Sequence, residues 1–332
     1  MTTALPARLT SFLQRFRTRT DTHAFVFHQE NVLGTSFELR AWAADGQSAE
    51  EAERRALAEI DRLELVFSSF APTSEFRRWQ NRRGQETAIS PELWEVLQRS
   101  DQWQKVSGGV FNLASEAFSQ VCKQAARENR PASPKALSLC AERAAQPLWH
   151  PNPSEQAATY ITECPLTLNA IAKGYIVDRA CDAAFRSGGA VSALTLNIGG
   201  DLRVCGDRTQ VIGVTDPDND AENALPFACV RLQNGALATS GDWRRGFRIG
   251  NTFYSHIVDP RTGTPVDAVR SASVIAPDAA DADALATVFS ILTPERSVAL
   301  ADTLPDIGCL LIARNSQVWR SAAWREREMT QG

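Results

Sequence analysis

The 332-residue sequence predicts an α+β fold, with mixed, largely antiparallel sheets packed with helices. Three observations lead there. Strand-like runs with period-2 alternation and helical runs with 3.6-residue periodicity both recur along the chain. They follow one another without the strict βαβ alternation of a parallel sheet. No internal repeat or clean break divides the chain, so residues 23–332 read as one domain behind a lead-in of residues 1–22.

In chain order, AFVFHQE and GTSFELRAWAA alternate well enough to pair as strands around a turn near Asn31. Ser48-Ala-Glu-Glu51 has the spacing of a capping box, and the helix it opens puts Ala52, Ala56, Ile60, Leu63 and Phe67 on one face. Ser90-Pro91 opens a second helix, with proline where its missing N–H is harmless, and Gly108-Gly109 closes it. Residues 124–165 carry the polar, proline-bearing runs ARENRPASP and HPNPSEQ and read as an insertion with a short helix near 134–145. Asn169 to about Phe185 is helical. ALTLNIGGDLRVCG reads as a strand that bends at Gly199-Gly200. ACVRL, ALATSGDW, FRIGNTFYSHIVD and SASVIAP read as further strands. Asp281 to about Leu292 is a helix, Thr293-Pro294 caps another, GCLLIA is a last central strand, and the polar C-terminal end carries no signal.

With 43% hydrophobic and 22% charged residues, the chain can build an ordinary globular core. A net charge of −4 argues against a nucleic-acid surface. The densest basic cluster, Arg77-Arg78 with Arg82-Arg83, fits a solvated loop. Seven cysteines, odd in number, widely spaced and without a CxxC, argue against a disulfide framework or a zinc knuckle and for buried free thiols. No apolar run is long enough for a signal-peptide core or a membrane span, so the expectation is a soluble, cytoplasmic protein.

Five stretches could carry chemistry. In NAIAKGYIVD, Lys173 sits in an apolar setting, as a surface lysine that snorkels or as a point charge aimed at a phosphate or carboxylate, with Gly174 allowing close approach. In ADALAT, Asp283 and Thr287 are four apart on one helix face. That hard oxygen pair suits Mg²⁺, though Asp283 could instead only complement the helix dipole. In YSHIVDPRTGTPV, His256, one of four histidines, precedes a turn at Asp259–Gly263, as a hydrogen-bonded strand end or as a general base. ATSGDW is a small-residue run that could lie against a ligand. NIGGD is not a GxGxxG fingerprint and opens no helix.

Taken in order, LGT (33–35), SSF…SEF…N (68–81), GGVFN (108–112), NAIAKGYIVD, LNIGGD, ATSGDW, YSHIVDPRTG and ADALAT resemble the ApbE-type FAD:protein FMN transferases over about residues 30–315. The resemblance implies an ApbE-like (T-fold-like) architecture. It implies an enzyme that needs Mg²⁺, cleaves FAD, releases AMP and attaches FMN by a phosphoester to a Thr or Ser of a target flavoprotein. It implies flavin-nucleotide contacts from Leu33, Phe70, Val110, Phe111, Asn112, Thr167, Lys173 and Ile257. It implies metal ligation by the Ala170 carbonyl, Asp283 and Thr287, and proton abstraction by His256, with Asp242 as second candidate. This chain departs from the family's pattern at Thr167 and Asn112, where Asp is usual, and at Phe70, where Tyr is usual. The alternatives are an FAD-binding protein without transferase activity and a Mg²⁺-dependent FAD pyrophosphatase. The expected partners are FAD and an acceptor flavoprotein, with no nucleic acid, and the protein itself is expected as monomer or homodimer.

Overall fold

The computed structural model describes residues 22–186, 190–217, 219, 225–241, 246–249, 252–255 and 257–329. Its first half runs β1 (His23–Val32), β2 (Thr35–Ala43), α1 (Gly46–Phe67), α2 (Glu75–Gln80), β3 (Glu86–Ala88), α3 (Pro91–Val106), α4 (Ser115–Arg127), α5 (Pro134–Ala144), β4 (Trp149–Asn152) and β5 (Ala157–Tyr160). There follow α6 (Ala172–Phe185), β6 (Val191–Ile198), β7 (Asp201–Gly206), β8 (Gln210–Val214), β9 (Ala228–Leu232), β10 (Gly235–Gly241), β11 (Gly246–Ile249), β12 (Thr252–Ser255), β13 (Val258–Asp259) and β14 (Thr264–Pro265). The chain closes with β15 (Val269–Ala276), α7 (Ala279–Ile291), α8 (Pro294–Ala301), β16 (Gly308–Ala313), β17 (Val318–Arg320) and α9 (Ala322–Arg327).

An eight-stranded sheet in the order β1-β2-β6-β7-β10-β15-β16-β17 is the frame, and every neighbouring pair in it is antiparallel. The α+β expectation and its largely antiparallel pairing are therefore met. Strand alternation separates the two faces. Ala236, Ala238, Val274, Ala276, Cys309 and Leu311 point into the large core under the helices. Leu237, Ile275 and Leu310 point the other way, into a smaller core shared with the β8–β9 pair and Trp324. Several helix-facing side chains are alanines, which lets α7, itself rich in buried alanine, lie close on the sheet. A helix buried nearly all round cannot be amphipathic, which is why its sequence carries little periodic signal.

Four local readings change in the structure. The first helix begins at Gly46 with Asp45 as N-cap, whose carboxylate accepts the Ser48 N–H at 2.8 Å, so Ser48 lies inside the first turn and does not cap it. ALTLNIGGDLRVCG is not a bent strand. Ile198 pairs with Asp201 and the two-residue turn Gly199-Gly200 folds β6 back on β7. Both glycines have positive φ, 57° and 95°, as a tight hairpin of matching twist requires. FRIGNTFYSHIVD is divided, with β11 paired to β12. The C-terminal end forms β17 and α9, whose Trp324 is fully buried against the second face.

The segment 124–165, read as an insertion, starts within α4 and contains α5 where a short helix was expected. Its strands β4 and β5 join β3 in a three-stranded sheet, and Leu148, Trp149, Ala158 and Tyr160 belong to the main core. Trp79 donates its indole N–H to the Ala158 carbonyl at 3.0 Å, tying the segment to α2. The lead-in, residues 1–22, falls outside the described residues except for Thr22. Among the described residues no helix is long and apolar enough to cross a membrane. All seven cysteines are free, five of them buried.

Candidate active site

The site is built where α6 meets α7. Asp178, the last residue of NAIAKGYIVD, accepts the backbone N–H groups of Ala279 and Ala280 at 2.8 and 3.0 Å. It thereby caps the N-terminus of α7 from another helix, alongside the helix's own N-cap Asp278, which accepts the Asp281 N–H at 2.9 Å. Arg203 of β7 donates to Asp178 at 2.6 Å and neutralises it. Burial pushes the Asp178 carboxyl up to about 6, against the opposing pull of Arg203 and the two amides.

Gly174 is required by this junction. A Cβ at position 174 would stand 2.1 Å from the Ala279 carbonyl oxygen and 2.8 Å from the Ala280 nitrogen. The close neighbour that Gly174 admits is the backbone of α7, where the sequence suggested a phosphate or carboxylate. The Gly174 N–H, in the first turn of α6 where a helix offers no backbone acceptor, donates to Asp283 Oδ2 at 3.3 Å.

Asp283 is buried, and Thr287 follows one turn later, half-buried. Near Asp283 stands a second buried carboxylate, Asp201, close enough for the two groups to act on each other electrostatically. Burial pushes Asp283 well above the usual carboxylate range, with Asp201 adding to it. Burial raises Asp201 too, and the Lys173 ammonium opposes the rise. Lys173 Nζ lies 3.3 Å from Asp201 Oδ2 and donates to the Gly199 carbonyl at 3.3 Å. The β1–β2 turn adjoins this hairpin: Gly199 N–H donates to the Ser36 carbonyl at 3.1 Å. Leu33, in that turn, has φ 51° and packs half-buried on the core.

The structure therefore brings Lys173 and Asp283 together beside Asp201, with Thr287 one turn further along α7, the Leu33 turn next to the β6–β7 hairpin and Ala170 two residues before α6. Thr167 joins it through the chain: its N–H donates to the Leu113 carbonyl at 2.9 Å and its hydroxyl accepts the Asn169 N–H at 3.3 Å. Asn112 spends its side chain locally, donating to the Ala144 carbonyl and accepting the Ala114 N–H. Val110 and Phe111 are buried, so only their backbone can meet a ligand. Asn112 lines a cleft of about 610 Å³ with Gly108, Gly109, Lys105 and Arg261. Phe70 stands 88% exposed in the loop after α1. Ile257 is half-buried, its carbonyl accepting the Val266 N–H at 3.0 Å. His256 and Asp242 lie outside the described residues.

The reading of the sequence passed over Asp201, Asp178 and Arg203. NIGGD did signal the first, because an aspartate after two turn glycines opens a returning strand, but its closeness to Lys173 depends on β6–β7 packing against α6. Asp283 and Thr287, one turn apart on α7, offer a carboxylate and a hydroxyl, oxygen donors that suit a hard cation. Among the described residues no group of three or more His, Cys, Asp or Glu could hold a metal ion.

Residues 33–311 match the model of the ApbE family. The FAD:protein FMN transferase of Treponema pallidum is 29% identical over 323 residues, which cover 90% of this chain and 87% of the relative. A transferase of the same name from Klebsiella pneumoniae is 32% identical over 163 residues, an alignment spanning about half of each chain, 49% and 50%. The crystal structure of the ApbE protein of Thermotoga maritima superimposes with a TM-score of 0.81 at 23% identity, covering 92% of this chain and all of that one.

Proposed function

The chain belongs to the ApbE family, and on that premise we propose that it is a Mg²⁺-dependent FAD:protein FMN transferase acting on a Thr or Ser of an acceptor flavoprotein. The observation that carries this reading is the junction of α6 and α7. There a lysine ammonium stands 3.3 Å from a buried carboxylate that itself adjoins Asp283. A cationic point next to hard oxygen donors is what a pyrophosphate and its metal require.

In this proposal Lys173 takes a phosphate oxygen of FAD, and Asp283, Thr287 and the Ala170 carbonyl hold the cation. Bound Mg²⁺ supplies neutralisation of the charge that builds on the phosphate oxygens. The acceptor hydroxyl oxygen forms a bond to the FMN phosphorus, and the bond from that phosphorus to the oxygen of AMP breaks. AMP leaves with the bridging oxygen. His256 takes the hydroxyl proton, with Asp242 as second candidate. The seven free thiols support a reducing compartment, the cytoplasm.

The test is incubation of the purified protein with FAD and Mg²⁺, with and without a domain bearing a Thr acceptor, following AMP, FMN and acceptor mass. AMP released only with acceptor, and an acceptor heavier by FMN, is the expected result. Free FMN without labelled acceptor would make the protein a pyrophosphatase. FAD held with no AMP formed would make it a flavin-binding protein; the missing carboxylates at Thr167 and Asn112 argue for this outcome or the pyrophosphatase over the transferase.

Phe70 offers a milder check. An aromatic ring left 88% exposed is available to stack on a planar nucleotide ring. Phe70→Ala is expected to weaken FAD binding about tenfold, within the ~1–3 kcal/mol that stacking on a base contributes. Its melting temperature should not change. Unaltered FAD affinity would remove Phe70 from the site.

A further inference from the structure

The Asp201 carboxylate is an expensive residue for the fold. It is 2% exposed and stands near a second buried carboxylate, Asp283, with the Lys173 ammonium 3.3 Å away. An amide of the same shape would avoid both the desolvation and the like-charge contact. What the carboxylate does supply is a fixed countercharge for Lys173, 3.3 Å from its ammonium. Asp201 is the first residue of β7, immediately after the Gly199-Gly200 turn, and that turn also offers the Gly199 carbonyl. A countercharge and a carbonyl acceptor, both from one hairpin, thus help to hold the end of a long, rotamer-rich side chain in place. The hairpin in turn is held by the Thr35 side chain, which would stand 2.6 Å from a Cβ on Gly199, and by the Gly199 N–H to Ser36.

We propose that Asp201 is a positioning residue: it aims the Lys173 ammonium at the phosphate of the bound nucleotide and acts on FAD only through Lys173. The inference rests on the reading of Lys173 given above, and its test separates the two. Asp201→Asn, Lys173→Met and the double variant are compared by calorimetric titration with FAD, once with Mg²⁺ and once in EDTA, together with their melting temperatures. Asp201→Ser repeats the series with a second uncharged side chain.

Asp201→Asn is expected to weaken FAD binding about tenfold, as loss of the countercharge 3.3 Å from Lys173 lets the ammonium move. The loss should be present with and without Mg²⁺, and the melting temperature should hold or rise. In the Lys173→Met background the same change should have no further effect on affinity, because its intermediary is gone. Independent, additive losses would overturn the inference, as would a loss confined to Mg²⁺, which would place Asp201 on the metal. If Lys173→Met weakens FAD binding and Asp201→Asn does not, the inference alone falls. If Lys173→Met leaves FAD affinity unchanged, both it and the reading of Lys173 fall.

Discussion

Gly174→Ala is expected to destabilise the protein by about 3 kcal/mol, although alanine is normally the better helix former by up to ~1 kcal/mol. The added methyl would meet only backbone: the Ala279 carbonyl at 2.1 Å from oxygen and 2.5 Å from carbon, and the Ala280 nitrogen at 2.8 Å. No side chain can swing aside to make room, so α6 and α7 must separate. Separation also breaks the Gly174–Asp283 hydrogen bond and pulls the two α7 amides off Asp178. Thermal and urea unfolding would measure this, with the melting temperature lower by roughly 6–12 °C at ~2–4 °C per kcal/mol. A stabilised or unchanged variant would mean that the two helices do not meet as described. FAD affinity should fall in parallel, since the same separation moves Lys173 away from Asp283.

Asp283→Asn is expected to have the opposite profile: catalysis lost, stability kept. Asparagine fills the same space and can still accept the Gly174 N–H, while removal of one of two adjacent buried carboxylates relieves a like-charge contact. As a cation ligand it lacks the charge that holds Mg²⁺ against water. AMP release should drop at least about 100-fold at millimolar Mg²⁺, a loss of roughly 3 kcal/mol in transition-state stabilisation. The Mg²⁺ concentration giving half-maximal rate should rise at least about tenfold. Full activity at unchanged Mg²⁺ demand would take Asp283 out of the metal site.

These two residues show what a sequence does and does not disclose. Caps that lie next to their helices were legible: Ser90-Pro91 and Thr293-Pro294 open α3 and α8, and Gly108-Gly109 ends α3. Such signals work within one turn of chain and need no knowledge of the fold. ADALAT also placed Asp283 and Thr287 correctly on one helix, because four-residue spacing is a local property. Asp178 was not legible, since it caps a helix about a hundred residues further on. The hairpin at Gly199-Gly200 was mistaken for a bend because the run on both sides is apolar, and only pairing partners distinguish the two. NIGGD marked Asp201 only as the residue after a turn, and its meaning depends on where Lys173 ends up. The identity of the junction came from motif order, and its geometry from packing between segments far apart in the chain.

Asp178 and Gly174 also set a timetable. Their partners, residues 279–283, are made about a hundred residues later. At ~5–20 residues per second a ribosome takes on the order of 5–20 s to cover that stretch. During that interval α6 has no α7 to cover it, and the Asp178 carboxylate has no helix end to cap. The central sheet is incomplete as well, because β15 and β16 are still to come. A nascent chain can therefore hold an apolar helix and half a sheet, but no nucleotide site, until nearly its whole length has emerged. A fragment released early would carry every residue of NAIAKGYIVD and still be unable to assemble the pocket around it.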